Sequence, residues 1–490
     1  MNKISLSQNS PDIFDPEGNQ NREFHHHFSP EIIRKYDIRG IVNDTLFELD
    51  AYAVGLAFAQ TLIRSGGRTI SVCYDGRHSS VKLEKMLVKG LSDGGAFISR
   101  VGLGPTPMLY YSVHQLSMDA GIMVTGSHNA PDYNGFKFTL KDRPFFGEDL
   151  EKLAIEAVRG LHRKVPGKIR DVDLKASYIG RLYRTYQGNK SLSVVWDPGN
   201  GAAGEIVQEL VSVLPGNHYV INGDIDGDFP NHHPDPTVPA NLEQLKKTVT
   251  SYGCDLGIAF DGDGDRIGAV DKTGKIIPAD KLLTLFSQDI LTRHPDATFI
   301  ADVKTSQTYF DRINGLGGNA IMWNTGHSLI KTKMIETGAL LAGEMSGHIF
   351  FADSYYGFDD ALYAAVRLLS LLSTGTKSFE HMCNALPASY ATPEIRIPCD
   401  ESQKPFIMEQ IENSVSSSDG EISTIDGVRV RNDNGWWLVR SSNTEPVLVA
   451  RCEAWSADAL KNLVNQLKKL VENHGLELDQ SYLMEGENNA

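Results

Sequence analysis

The sequence predicts an α/β protein that ends in a segment of a different, α+β kind. Three observations carry the prediction. From Ile33 onward, short β-branched runs alternate with stretches of helical periodicity. Each apolar run stops at a glycine-rich or charged loop. The last hundred residues change style, with two apolar runs around 436–440 and 447–452 followed by a single amphipathic helix.

Taken in order, the strand-length runs are 70–75, 121–125, 193–196, 256–260 and 298–302. In α/β folds ligands collect beyond the carboxyl ends of strands, so the loops that follow these runs are the places to look for chemistry. The terminal helix is expected over 457–474. There Leu460, Leu463, Val464, Leu467, Leu470 and Val471 repeat at helical spacing, Ser456 is an N-cap, and Gly475 closes the end. That stripe reads as core. The recurrence of strand and loop hints at repeated α/β units, although no literal sequence period appears.

A chain of 490 residues suggests about three domains. Composition breaks near 160–175, after 271–274 and around 387–398 raise the expectation to four segments: 29–172, 173–275, 276–387 and 388–490. Residues 1–28, rich in Asn, Ser, Pro and Asp, read as a flexible lead, with His25, His26 and His27 on a solvated tail. The chain is 41% hydrophobic and 22% charged, an ordinary globular balance. With 47 Lys and Arg against 62 Asp and Glu the net charge is −15, which disfavours nucleic acid. A phosphorylated ligand would need cationic loops of its own. Five cysteines without a CxxC pair form neither a disulfide framework nor a zinc knuckle, and a cytoplasmic location fits them. The start lacks an apolar leader and the longest apolar stretch, 51–63, is too short to span a bilayer, so no membrane is expected.

Four loops stand out. The first, AspGlyAspGlyAspArg at 261–266, follows the run LeuGlyIleAlaPhe. Three carboxylates at alternate positions can converge on one point, and a cation makes their burial tolerable. Mg²⁺ is the economical ligand. An EF-hand is excluded because Arg266 and Lys272 occupy the positions that require Gly and Glu. A second acidic group, Asp224, Asp226 and Asp228 with His232 and His233, lies among prolines and reads as a turn-rich connector.

The second loop, 125–137, presents Ser127 just beyond a strand, in the company of His128 and Lys137, which could handle a proton or a phosphate. It is not a GxSxG elbow. The third, GlyGluMetSerGlyHis at 343–348, places an acid, a hydroxyl and an imidazole two residues apart, suited to the vicinal hydroxyls of a sugar. The fourth, ArgSerSerAsnThrGluPro at 440–446, gathers the donors a phosphate dianion needs. For the last two, a plain polar turn is the competing account. Gly199, Gly201 and Gly204 also spell GxGxxG after a strand, with Asp224 about 20 residues on; a nicotinamide site there would leave the other loops unexplained.

Together with LysTyrAspIleArgGly at 35–40, these loops resemble the α-D-phosphohexomutase superfamily, and within it the bacterial phosphomannomutase/phosphoglucomutase group. The likeness covers nearly all of the chain after residue 30. It implies four domains around a central cleft, three similar α/β domains and a C-terminal α+β domain. It further implies a cytoplasmic enzyme, monomer or dimer, that interconverts hexose 1-phosphates and hexose 6-phosphates, of mannose and also glucose, through a phosphoserine and a bisphosphorylated sugar. By the same resemblance Ser127 carries the phosphoryl group and, with Asp261, Asp263 and Asp265, holds Mg²⁺. Glu344, Ser346 and His348 read sugar hydroxyls, while Arg440, Ser442, Asn443 and Thr444 clamp the substrate's phosphate. Tyr36, Arg39, Lys304 and His327 are further substrate contacts. Arg266 offsets charge on the transferring oxygens; Arg39, Lys137 and His348 are the candidates for managing the hydroxyl proton. Glucose 1,6-bisphosphate or mannose 1,6-bisphosphate is the implied activator. Met345 matches the mannose/glucose enzymes, where phosphoglucosamine mutases usually show glutamine, and Ala130 departs from a commoner proline.

Two rival readings remain at this level. Asp261 and Asp263 after an apolar strand imitate the DxDx[TV] motif of haloacid-dehalogenase-like phosphatases, but Asp265 stands where Thr or Val belongs and Ser127 would have no task. A non-catalytic sugar-phosphate or Ca²⁺-binding protein is the other.

Overall fold

The computed structural model describes residues 23–443 and 445–478. Three of its sheets repeat one plan. In the first, the strands Thr69–Tyr74, Phe97–Leu103, Ala120–Val124 and Tyr133–Leu140 form a core in which Thr69–Tyr74 pairs parallel with both Phe97–Leu103 and Ala120–Val124; Tyr133–Leu140 then adds antiparallel to the last. The second repeats this with Leu192–Asp197 between Gly216–Val220 and Leu256–Phe260, closed by antiparallel Ile267–Asp271. The third repeats it with Thr298–Asp302 between Asn319–Trp323 and Leu341–Gly343, closed by antiparallel Ile349–Phe351. In each unit, therefore, the third strand turns back through a loop into an antiparallel fourth. Those three turns are the serine loop, the acidic loop and the GlyGluMetSerGlyHis loop.

Edge strands extend two of the sheets. Ile38–Ile41 and Ile169–Asp171 flank the first, and Ile276–Ile277 ends the second. That short strand lies past residue 275, where the composition break suggested a boundary, because the 271–275 turn is a hairpin: Gly274 N donates to Asp271 O. The fourth sheet is antiparallel throughout, with Val447–Ala454 pairing with Gly435–Ser441 on one side and with both Tyr390–Ala391 and Ile395–Pro398 on the other. The helix Ala457–Asn473 packs on it with Ser456 as N-cap, its hydroxyl accepting from Ala459 N, and the expected leucine stripe faces the core.

The apolar stretch 51–63 lies inside the helix Glu48–Arg64, which is buried almost all round and packs against the helix Ser80–Asp93. Glycine makes that approach possible: a Cβ on Gly90 would stand 2.1 Å from Tyr52 O, and one on Gly55 would stand 2.3 Å from Leu87 O. One apolar cluster runs through the first three units, joining Met108 and Met123 to Trp196 and Phe260 and on to Leu282 and Leu362, while the first unit keeps a second cluster around Val54, Phe58 and Phe136. The fourth unit has a core of its own, and Trp436 and Leu438 join it to Val303 of the third in a small separate cluster.

Part of the expected lead is structured. Glu23–Phe24 pairs with Leu161–His162, and His26 Nε2 bonds Asp50 Oδ1 at 2.6 Å, so residues 23–28 are anchored by apolar and polar contacts that their composition hides. The rest of that segment lies outside the described residues. Among the described residues no helix is long and apolar enough to cross a membrane.

Candidate active site

Chain leaving the fully buried strand Ala120–Val124 is steered by Asp75, which accepts from Thr125 Oγ1 (2.8 Å) and from Gly126 N (3.1 Å). Ser127 follows with φ of +51°, a left-handed conformation that costs a side-chain-bearing residue roughly 1–2 kcal/mol. The residue is 2% exposed. Its Oγ donates to Asp261 Oδ2 at 3.2 Å and lies 3.3 Å from His128 Nδ1. Burial, with Arg266, Arg39 and Lys137 nearby, holds the His128 imidazole well below its usual range, in the neutral form.

Asp261, Asp263 and Asp265 are wholly buried, and one carboxylate oxygen of each lies within 4.8 Å of the others. Asp261 Oδ1 accepts from the main-chain N–H of Asp265 (3.0 Å) and Arg266 (3.1 Å). Thr106 Oγ1 donates to Asp263 Oδ2 at 2.5 Å. Lys137 Nζ bridges Asp263 Oδ2 (2.7 Å) and Asp265 Oδ2 (2.5 Å). Burial and the two neighbouring carboxylates push Asp261 well above the ordinary carboxylate range. Burial acts on Asp263 too, yet Lys137 overcomes it and holds that group below the range; the carboxylates in turn keep Lys137 protonated. One lysine does not balance three carboxylates, and Oδ1 of Asp263 and Oδ1 of Asp265 are buried without a hydrogen-bond partner. Hard, convergent oxygens with unspent lone pairs fit a divalent cation such as Mg²⁺.

The acidic loop is held in place by its neighbours. A Cβ on Gly262 would stand 2.3 Å from Ser127 O, so the serine and acidic loops meet backbone to backbone. The GxGxxG stretch supports the same loop: Ala202 N donates to Gly262 O at 2.9 Å, and a Cβ on Gly201 would stand 2.7 Å from that oxygen. Gly204 is packed as closely, since a Cβ there would stand 2.1 Å from Gly223 O, so packing explains both glycines. On the other side, Ile267 N donates to Gly347 O (3.0 Å) and Arg266 pairs with His348 in an antiparallel bridge. Arg266 Nε donates to His348 Nε2 at 3.0 Å, which in a neutral ring leaves the proton on Nδ1, 3.0 Å from Asp359 Oδ2.

Glu344 accepts from Gly326 N at 2.6 Å, and burial raises its carboxyl. Ser346 is half-buried on the same loop. Tyr36 reaches across from the first unit: its OH donates to Thr325 O (2.9 Å) and accepts from Asn443 Nδ2 (3.0 Å), and its ring lies 6.0 Å from that of His327. Lys35 Nζ donates to Asn443 Oδ1 at 3.2 Å. Arg39 is paired with Asp37 and Asn129. In the fourth unit Arg440 Nε donates to Asp426 Oδ2 (2.9 Å), while its Nη2 is buried without a bond. Ser442 Oγ accepts from Glu445 N, and Lys304 Nζ pairs with Glu394 at 2.9 Å. Thr444 lies outside the described residues.

Ser127, His128, Lys137, the three aspartates, Arg266 and His348 thus form one contact network. Arg440, Asn443 and Tyr36 form a second, and Lys304 stands with Glu394. Asp226 and Asp228 instead meet His78 at an exposed position, and His232 bonds Asp197. Sequence reading missed Asp75, Thr106, Asp359 and Asp426. Only Asp75, at the end of an apolar run, carried a local signal.

Four family models match the chain in order: phosphoglucomutase/phosphomannomutase alpha/beta/alpha domain I over 30–160, domain II over 176–274, domain III over 278–390, and the C-terminal domain over 394–470. The chain belongs to the phosphoglucomutase/phosphomannomutase family. A phosphomannomutase/phosphoglucomutase of Pseudomonas aeruginosa is 45% identical over 441 residues, covering 89% of this chain and 95% of that one. A phosphoglucomutase of Neisseria meningitidis serogroup A is 40% identical over 448 residues, covering 91% and 97%. The crystal structure of a phosphoglucomutase/phosphomannomutase family protein from Burkholderia thailandensis superposes with a TM-score of 0.86 at 38% identity, over 92% of this chain and 99% of that one. Membership in this family gives the three repeated units and the distinct fourth a common context.

Proposed function

We propose that this phosphohexomutase interconverts hexose 1-phosphates and hexose 6-phosphates, those of mannose and also of glucose, by passing a phosphoryl group through Ser127. The observation that carries the reading is the meeting of a strained, buried serine hydroxyl with three convergent carboxylates, two of whose oxygens have no partner. The names of its relatives point the same way.

The segments 29–172, 173–275, 276–387 and 388–490 would each bring one loop to the cleft. Asp261, Asp263, Asp265 and an oxygen of phosphoserine 127 would hold Mg²⁺, which when bound offsets negative charge on the transferring phosphoryl oxygens. Arg440, with Ser442, Asn443 and Thr444, takes the phosphate the substrate already bears; the unbonded Nη2 is a donor in waiting. Glu344, Ser346 and His348 read the sugar hydroxyls, and Tyr36, Arg39, Lys304 and His327 line the approach.

In the first half-reaction the P–O bond to Ser127 Oγ breaks as a bond forms to the free hexose hydroxyl; that hydroxyl's proton passes to a base, and the departing Ser127 Oγ takes up a proton in its place. Lys137, paired with two of the aspartates that would hold the cation, supplies positive charge beside the transferring group. His348, with its proton on Nδ1, offers the Nε2 lone pair once Arg266 turns to the phosphoryl group. Neutral His128, beside Ser127 Oγ, can relay the serine proton in the return step. The bisphosphorylated sugar turns end for end and returns its other phosphate to Ser127, while glucose 1,6-bisphosphate or mannose 1,6-bisphosphate re-primes an enzyme that has lost its phosphoryl group. Reorientation calls for movement of the fourth unit, whose own core would let it shift as a body once the small contact of Trp436 and Leu438 with Val303 gives way. All five cysteines are buried and unpaired, which fits a reducing cytoplasm, and the protein would act as a monomer or a dimer.

Conversion of mannose 1-phosphate to mannose 6-phosphate with Mg²⁺ and a catalytic trace of glucose 1,6-bisphosphate is the test. Intact-protein mass spectrometry should show one added phosphate that disappears in Ser127→Ala. A label and activity that both survive that substitution would defeat the proposal.

A further inference from the structure

We propose that Arg77 is the positioning residue of the serine loop. The inference rests on Ser127 being the phosphoryl carrier. Arg77 follows the strand Thr69–Tyr74 and is 2% exposed, an unusual place for a guanidinium. Its donors are spent on main-chain carbonyls of one loop. Nη2 donates to Ser127 O (2.8 Å) and Asn129 O (2.6 Å), and Nη1 to Tyr133 O (3.0 Å) and to Ala130 O. Nε lies 3.2 Å from Asp75 Oδ2. The same Asp75 oxygen receives Thr125 Oγ1 and Gly126 N, so entry to the loop and its middle are tied to one ion pair.

The surroundings fit a fixed template. A Cβ on Gly126 would stand 2.5 Å from the guanidinium, so glycine there is the condition for the loop to close on it. From the second unit, Phe229 places its ring 5.1 Å beneath the guanidinium carbon, and a Cβ on Gly227 would stand 3.0 Å from Arg77 Cα. Arg77 thereby joins the serine loop to the unit that bears the acidic loop. Planar geometry matters: a fork of fixed donors can hold four carbonyls in set directions, which a lysine ammonium cannot. Ser127 is kept at φ of +51° with its Oγ 3.2 Å from Asp261, a conformation the loop's own sequence would not choose. None of these contacts reaches the sugar-phosphate clamp on the fourth unit.

The prediction is a split in the kinetics. A misplacement of about 1 Å at a reacting atom costs on the order of 100-fold in rate. Arg77→Lys and Arg77→Ala should therefore lower kcat by about 100-fold or more, with KM for mannose 1-phosphate changed less than about threefold. Transfer of phosphate from glucose 1,6-bisphosphate onto Ser127, followed by intact mass, should slow in parallel. Guanidinium ion at tens of millimolar should recover part of the kcat of Arg77→Ala and none of that of Arg77→Lys, an effect a general loss of stability would not give. Wild-type kcat in Arg77→Lys, equal losses in kcat and affinity, or no recovery with guanidinium would each overturn the assignment. A wild-type enzyme that never takes phosphate on Ser127 would instead refute the phosphoserine reading itself.

Discussion

Asp263 shows how much chemistry a single residue here must balance. It takes bonds from Thr106, Thr125 and Lys137 on the same oxygen and leaves the other oxygen without a partner. Outer-shell changes at metal sites commonly cost 10–100-fold in affinity, so loss of Asp263 as the proposed Mg²⁺ ligand should cost at least the upper figure. Asp263→Asn is accordingly expected to raise the Mg²⁺ concentration for half-maximal activity by about 100-fold, measured by metal titration of turnover, with the melting temperature little changed. The aspartate triplet was legible because its three members are neighbours in sequence. Its environment was not: Thr106 and Lys137 arrive from 157 and 126 residues away. Likewise His348 was visible in a motif, but Asp359, whose carboxylate stands 3.0 Å from Nδ1, sits beyond it in a stretch with no pattern of its own.

At the scale of elements, alternating apolar runs and loops announced the strands, and the terminal helix was readable to within a residue. What the runs could not show is pairing order, and it is the pairing order that puts each functional loop at the turn between a parallel and an antiparallel strand. Glycines were similarly ambiguous. GxGxxG suggests a nucleotide until Gly201 is seen against Gly262 O. Gly90 looks like an interruption of a helix, yet it is where that helix crosses its neighbour. Gly90→Ala places a Cβ against the Tyr52 carbonyl and should destabilise the first unit by about 2–3 kcal/mol, within the usual range for overpacking. Differential scanning calorimetry should show its transition lowered by on the order of 5–10 °C. A variant that melts with the wild type would mean that the two helices separate easily.

Across the whole molecule, the fourth unit is held to the third by a small apolar cluster of Val303, Trp436 and Leu438 and by polar contacts, and to the first by polar contacts. Lys304 beside Glu394 pulls that carboxyl down to about 2 from an ordinary 4.5. A depressed acid stabilises the fold above its ordinary value and loses that contribution as pH falls through the folded one. With Glu394 about one-third exposed, solvent screening limits the pair to about 1 kcal/mol. Wild type should exceed Glu394→Gln by that margin at pH 7, and urea titrations repeated downward from pH 4.5 should see the gap shrink and close near pH 2. Tyr36, between Thr325 and Asn443, is a tie from the first unit. Tyr36→Phe removes about 1–2 kcal/mol of bonding across the cleft and should raise KM for mannose 1-phosphate about tenfold while kcat moves far less; unchanged KM would show that these contacts do not accompany substrate binding. Such ties were invisible in sequence because 407 residues separate Tyr36 from Asn443.

The bridge from Lys137 to Asp263 and Asp265 also bears on how the chain is made. Synthesis runs from the amino terminus, so the lysine emerges before the carboxylates that need it, and the acidic loop meets a waiting counter-charge as it leaves the ribosome. The order is one-way. A fragment of residues 23–275 carries both partners, whereas one of residues 173–478 has three carboxylates in want of a cation.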